Sequence, residues 1–180
     1  MVSAGSLRSH CLGMIASIES FLQWFDGVNR RAMRDVGALP AAAESWAPPA
    51  GEGERGWNIG ELVRHMAAAR IFSVRAYLAQ GWKAEPWPRP AASVTEWVAA
   101  LAESAAELRR LLEGTPDEWL IRPVAGQNTS KTIPGWRILI NMAEHDIHHR
   151  SQIDAYAGLN GWEVKQIFGI RAEDAGLSPR

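Results

Sequence analysis

Three of the chain's five histidines fall within five positions, His145, His148 and His149, and a fourth, His65, stands far upstream. A neutral imidazole offers a lone pair to a metal ion, and imidazole changes charge close to neutral pH. Two histidines four residues apart on a helix lie on one face, so His145 and His149 form a natural pair of ligands. His148 falls on a different face, with Glu144 four residues before it as a surface partner. A divalent ion held by imidazoles alone keeps its full charge and open positions for water, a thiolate or another anion.

The elements that must position these side chains are helical. In the last long pattern, Ile138, Met142, His145, His149, Gln152 and Tyr156 recur at steps of four and three, which places His145 and His149 on the stripe that faces a core. In an upstream pattern, Ile59, Leu62, Met66, Ala69, Phe72 and Ala76 share one arc, and His65 lies within it. Glu61, Arg64 and Arg75 form a charged strip beside that arc, and Asp146, Arg150 and Asp154 read as a solvated ladder on the other helix. A lone histidine on an apolar stripe is more often a hydrogen-bonded core residue than a ligand, and that reading stays open for His65 taken singly. Three buried imidazoles are harder to satisfy separately, because each unpaired buried polar group costs about 1–3 kcal/mol. One ion shared by His65, His145 and His149 removes that cost. His10 and His148 are read as carrying no such role.

Four helices are expected. The first covers roughly residues 8 to 36. The second opens at Asn58, with Glu61 completing an N-x-x-E capping box, and runs to about Leu78. The third is capped by Ser93 and Glu96 and ends near Leu112; Thr115-Pro116 opens a short turn to Leu120. Pro134 begins the fourth, which ends near Gly158. No strand alternation or internal repeat is evident. The expected architecture is all-α, one domain over residues 1–180, an up-and-down four-helix bundle with long loops between helices 1 and 2 and between helices 2 and 3.

Composition limits the function classes. The chain has 180 residues, 47% hydrophobic and 22% charged, with a formal net charge of −1. That balance gives no basic footprint for nucleic acid and no polybasic membrane patch. No apolar run is long enough to span a bilayer, and LRSHCLGMIASIESFLQWF reads as an amphipathic helix rather than a secretion signal. The single Cys11 cannot form an internal disulfide, and the expected location is the cytoplasm. Only three of the 19 basic residues are lysine, which together with the many Ala, Gly and Trp hints at a GC-rich genome.

Nine tryptophans are an unusually large share. Trp24, Trp97 and Trp136 fall within helices and are expected in the core. Trp46, Trp57, Trp82 and Trp87 fall in or beside the long loops, where they either pin the loops to the bundle or rim a pocket for an apolar substrate. In an up-and-down bundle the first and third loops share an end, so the pocket mouth is expected beside Trp46, Trp57 and the GQNTSK loop.

Two other metal chemistries fit the sequence less well. HDIHH, residues 145–149, departs from the zinc-protease H-E-x-x-H at one place, with Asp146 where the glutamate base belongs and little chain left for a third ligand. A di-iron carboxylate bundle needs Glu-x-x-His on two helices, and neither histidine-bearing helix has one.

WNIGELVRHM (57–66) and GWRILINMAEHDIHHRSQIDAYAGLNG (135–161) together resemble the DinB family of four-helix metal-dependent proteins, over roughly residues 10 to 160. The second segment is similar to that family's H-x-x-x-H-R-G-Q helix, with Ser151 in place of the usual glycine. The resemblance implies His65, His145 and His149 as metal ligands, with zinc or nickel expected ahead of iron or manganese. It also implies a low-molecular-weight thiol (mycothiol, bacillithiol or glutathione) as cosubstrate, transferred to an electrophilic small molecule or used in a cis–trans isomerisation; the GC-rich hint favours mycothiol. Trp57, Arg150 and Gln152 are the expected cofactor contacts, and Arg150 and Gln152 the candidate helpers in a reaction with no other evident acid or base. Arg150 also has a purely structural reading through its ladder. A homodimer is an expectation on the same ground. The competing expectation is a non-catalytic metal- or ligand-binding bundle.

Overall fold

The structure is a computed structural model, and it describes residues 15–84, 91–163, 165–166, 169–170 and 173–176. Four helices form the bundle: α1 (Ile18–Gly37), α2 (Ile59–Tyr77), α3 (Val94–Leu112) and α4 (Gly135–Leu159). The Asn58–Glu61 and Ser93–Glu96 capping boxes open α2 and α3 as the sequence predicts. Helix α1 departs from expectation: Ser17 caps it through a reciprocal pair with Ser20, so residues 15–17 are not helical, and residues 8–14 lie outside the described part. A serine at the third helical position can serve as the box partner normally supplied by Glu or Gln, and the S-x-x-S spelling hid the start.

A second correction is a small hairpin. Strand β1 (Pro123–Ala125) pairs antiparallel with β2 (Thr132–Pro134), Val124 opposite Ile133. Three-residue strands are too short to display alternation, which is why the sequence pattern did not reveal them.

The chain path differs from up-and-down. The N-terminal ends of α2 and α3 meet, since a Cβ at Gly60 would lie 3.0 Å from the Trp97 indole nitrogen. The backbone N–H of Val94 donates to Glu44, in the connection just before α2, at 2.9 Å. At the far end Gly135 of α4 packs on Tyr77 of α2, and the Ile18 N–H donates to Asp117 just beyond α3. Helices α2 and α3 therefore run parallel, and α1 and α4 run the other way. The end of α2 and the start of α3 therefore lie about a helix length apart, about 28 Å, a span that roughly fifteen residues can reach. The β1–β2 hairpin with its GQNTSK loop consequently lies at the Tyr77 end; Trp82 donates to Ala125 O there at 2.7 Å. That loop is not beside His65, correcting the expected pocket mouth.

Two apolar clusters fill the interior. One gathers Phe21, Phe25, Val28, Val74, Tyr77, Leu108, Leu112, Leu139 and Met142. The other gathers Ala32, Val36, Leu62, Val63, Met66, Trp97, Leu101, Ile153 and Tyr156. Each helix also buries polar residues: Asn29 and Asp35 on α1, Arg70 on α2, Ser104 on α3, and Asp146, His149 and Arg150 on α4. Trp97 is buried as expected, whereas Trp24 and Trp136 are only partly covered, and Trp87 lies outside the described residues. Among the described residues no helix is long and apolar enough to cross a membrane.

Candidate metal centre

Helix α4 touches both α1 and α2, so two adjacent stripes of it are buried rather than one. The first stripe carries Ile138, Met142, His145, His149, Gln152 and Tyr156 towards α2. The second carries Leu139, Ala143, Asp146, Arg150, Ile153 and Ala157, all buried. The reading of Asp146, Arg150 and Asp154 as a solvated ladder is therefore wrong. Asp146 and Arg150 are 0% and 3% exposed, and Arg150 Nε lies 3.6 Å from Asp35 Oδ2 on α1 and 4.0 Å from Asp154. A charged residue at a stripe position is easily taken for a surface residue when its partner sits on another helix. His148 is exposed, as predicted, but Glu144 pairs with Arg137 at 3.7 Å.

The imidazoles of His65, His145 and His149 converge. Nε2 of His145 lies 2.8 Å from Nε2 of His65 and 3.1 Å from Nε2 of His149. Among themselves three facing nitrogens cannot all be satisfied, since an N–H can point well at only one neighbour. Donors bound at about 2.0–2.1 Å to one ion lie roughly 2.9–3.4 Å apart for angles between square and tetrahedral, so the spacing fits a shared divalent cation. His149 is completely buried, and its Nδ1 is 3.1 Å from Gln152 Oε1. That contact makes Nδ1 the protonated nitrogen and leaves the Nε2 lone pair free for metal. Nδ1 of His145 is buried without a hydrogen-bond partner.

Electrostatics favour neutral rings. Burial holds the His145 pKa far down, at about 3, with His149, His65 and His148 adding to the effect. His65 is also lowered, by burial first and His149 second, against an opposing pull from Glu54. Neutral imidazole is the form that ligates.

The surroundings come from the connection between α1 and α2 and from the end of α4. The Trp57 ring meets His65 edge-on at 4.9 Å between centroids. Trp46 packs on Tyr156 and Trp162, pinning its loop to the bundle next to the site. A cavity of about 450 Å³ opens alongside, lined by Glu54, Arg55, His148, Ser151, Gln152 and Tyr156. Of the expected cofactor contacts, Trp57 and Gln152 stand at the cluster, while Arg150 faces Asp35.

Two residues escaped the sequence reading, one beside the histidines and one buried in the bundle as partner of Asp146. Glu54 sits in a glycine-rich connection with no periodicity to flag it, yet its carboxylate reaches 3.6 Å from His65 Nε2 and 4.0 Å from His149 Nε2. Arg70 was legible in principle. Val63, Ala67, Arg70, Val74 and Tyr77 recur at steps of four and three, and all are buried.

A family model described as the DinB superfamily matches residues 25–153. The chain belongs to the DinB superfamily. Its fold is shared by solved structures, among them two DinB-like proteins. A DinB-like protein from Bacillus cereus is 18% identical with a TM-score of 0.66, covering 85% of this chain and 99% of that one. A DinB-like protein from Bacillus subtilis, YjoA, is 16% identical with a TM-score of 0.59, covering 82% and 96%. No curated protein sequence matches the chain.

Proposed function

We propose that this DinB superfamily member is a divalent-metal-dependent enzyme that joins a low-molecular-weight thiol to an electrophilic small molecule. The observation that carries the reading is the convergence of the His65, His145 and His149 Nε2 atoms beside an open cavity. A divalent cation bound there supplies a Lewis acid that keeps a cysteine-type thiol as thiolate at neutral pH, where the free thiol is only a few per cent ionised. Gln152 fixes the His149 ring and, through its Nε2, donates to the Glu54 carbonyl at 2.7 Å, so the ligand helix and the neighbouring turn hold one register. Trp57 covers His65 and limits water on that side. Arg55, exposed at the cavity, offers a cation to the carboxylates of glutathione or bacillithiol and a hydrogen-bond donor to the hydroxyls of mycothiol. The sulfur attacks the electrophilic carbon as its leaving group departs. Zinc and nickel are the first metals to test, and a cytoplasmic location and a homodimer belong to the same reading.

The second reading, a binding bundle without turnover, draws on Arg150, whose guanidinium is spent on Asp35 instead of facing the site. One experiment separates them. Zinc- or nickel-loaded protein is incubated with mycothiol, bacillithiol or glutathione and monochlorobimane, beside a His145→Ala variant. Thiol-dependent conjugate formation that disappears in the variant supports the enzyme. Metal uptake without conjugation by any of the three thiols leaves the binding bundle.

A further inference from the structure

The carboxylate of Glu54 stands beside two of the three histidines without hydrogen-bonding to them. Its two oxygens divide between two rings, Oε1 at 3.6 Å from His65 Nε2 and Oε2 at 4.0 Å from His149 Nε2. Both distances exceed a hydrogen bond, and the side chain is half exposed. A glutamate free to extend into water gains little from two neutral imidazoles. Facing a cation between them, the same placement is favourable.

The turn that carries Glu54 is built to hold it there. A Cβ at Gly51 would fall 2.6 Å from Arg55 O, and one at Gly56 would fall 2.5 Å from Gly51 O, so the two ends of the turn meet backbone to backbone. Gly53 adopts φ +57°, a left-handed conformation that L side chains rarely take. Helix α4 then fixes the turn from outside. Gln152 Nε2 donates to Glu54 O at 2.7 Å and Tyr156 OH donates to Arg55 O at 3.1 Å. Gln152 is also the partner of His149 Nδ1, so one side chain sets both a ligand ring and the backbone of residue 54.

We propose that Glu54 is the fourth protein donor of this centre, its carboxylate closing the face of the three-histidine site that opens towards the 51–56 turn. The proposal rests on the metal reading above. Donor atoms on one ion of zinc's size lie about 2.9–3.4 Å apart, so the 3.6 Å and 4.0 Å separations to His65 and His149 are slightly longer than those of a donor set and close by a side-chain adjustment. A carboxylate also halves the charge that three neutral imidazoles leave on a divalent ion, and it must be displaced before a small anion takes its place. Glu54 thereby sets which incoming anions bind.

The test uses the full chain and cobalt(II) as probe, whose visible absorption reports the number and type of donors. Wild type, Glu54→Gln and Glu52→Gln are loaded with cobalt, and their affinities are measured by competition with a chromophoric chelator. Glu52 lies on the same turn, so its variant removes the same charge close by without touching the rings. The expected result is a changed cobalt spectrum and an affinity lowered about 10- to 100-fold in Glu54→Gln, with Glu52→Gln like wild type. An unchanged spectrum in Glu54→Gln overturns the proposal, even where affinity falls, because the charge then acts only through space. If wild type takes up neither cobalt, zinc nor nickel, the metal reading itself fails and Glu54 falls with it.

Discussion

Arg70 on α2 and Asp146 on α4 form a completely buried ion pair at the middle of the bundle, with Arg70 Nη2 2.6 Å and Nε 3.0 Å from Asp146 Oδ2. Arg70 Nη1 also donates to Leu101 O at 2.7 Å and Ser104 Oγ at 2.8 Å on α3, and its guanidinium lies 5.2 Å from the Phe25 ring centre on α1. One side chain thus reaches all three other helices, and Asp146 follows His145 directly in sequence. Removing one member of such a pair leaves an uncompensated buried charge. Arg70→Met is expected to lower stability by about 3–5 kcal/mol, roughly a 10 °C fall in Tm for a chain of this size. The double variant Arg70→Met with Asp146→Leu is expected to regain most of it, since two apolar groups leave no charge stranded. Urea melts of the three proteins check this. A double variant no better than Arg70→Met would mean that packing around the guanidinium, not the charge, holds the helices.

Gln152 accepts at 3.1 Å from His149 Nδ1 and so fixes which nitrogen of that ring is bare. Gln152→Ala removes the acceptor and lets the ring rotate or change tautomer. Zinc affinity is expected to fall about 10- to 100-fold, the usual cost of losing the group behind a ligand histidine. Competition against a chromophoric chelator measures it, and an unaltered affinity would assign the orientation of His149 to packing alone.

The metal-free protein should weaken in acid because of His145. Its folded-state pKa is held at about 3, below the ordinary 6.5, by burial first and by the neighbouring imidazoles next. A depressed folded value means that the unfolded chain takes up a proton earlier than the folded one. The stability is therefore intact above about pH 6.5 and drains as pH falls towards 3. Allowing for the partial exposure of the ring, the loss by about pH 4 is on the order of 2 kcal/mol. Urea midpoints of chelator-treated wild type across this range should slope more steeply than those of His145→Gln; parallel curves would contradict the assignment.

The helix starts at Asn58 and Ser93 and the inward phase of His145 and His149 could be read from spacing, because capping boxes and heptad steps are local signals. The direction of α3 could not. It depends on whether the connection between α2 and α3 turns back at once or travels the length of the bundle, and helix periodicity is the same either way. The ladder of Asp146, Arg150 and Asp154 failed for a related reason. Its partners, Asp35 and Arg70, lie on other helices, so their charges satisfy one another only after packing. Glu54 was invisible because its position follows from glycine-permitted backbone contacts rather than from any repeat.

Asp154 gives the opposite pH behaviour from His145. Burial, followed by repulsion from Asp35, raises its pKa from 3.8 to about 6, against the pull of Arg150 and Arg34. A raised folded value favours the protonated acid, so its contribution is complete below about pH 4 and is lost as pH climbs through 6. At neutral pH the charge is an expense to the fold. Asp154→Asn keeps the shape and removes that charge, which should raise stability by about 1 kcal/mol above pH 7 once screening at this partly exposed site is allowed for. The gain should vanish near pH 4, where wild type is already protonated. Arg150 keeps Asp35 at 3.6 Å in the variant and is not left without a counter-charge. Thermal melts of both proteins at about pH 4 and about pH 7.5 check the sign, and a destabilised Asp154→Asn at the higher pH would show that Arg150 needs both carboxylates.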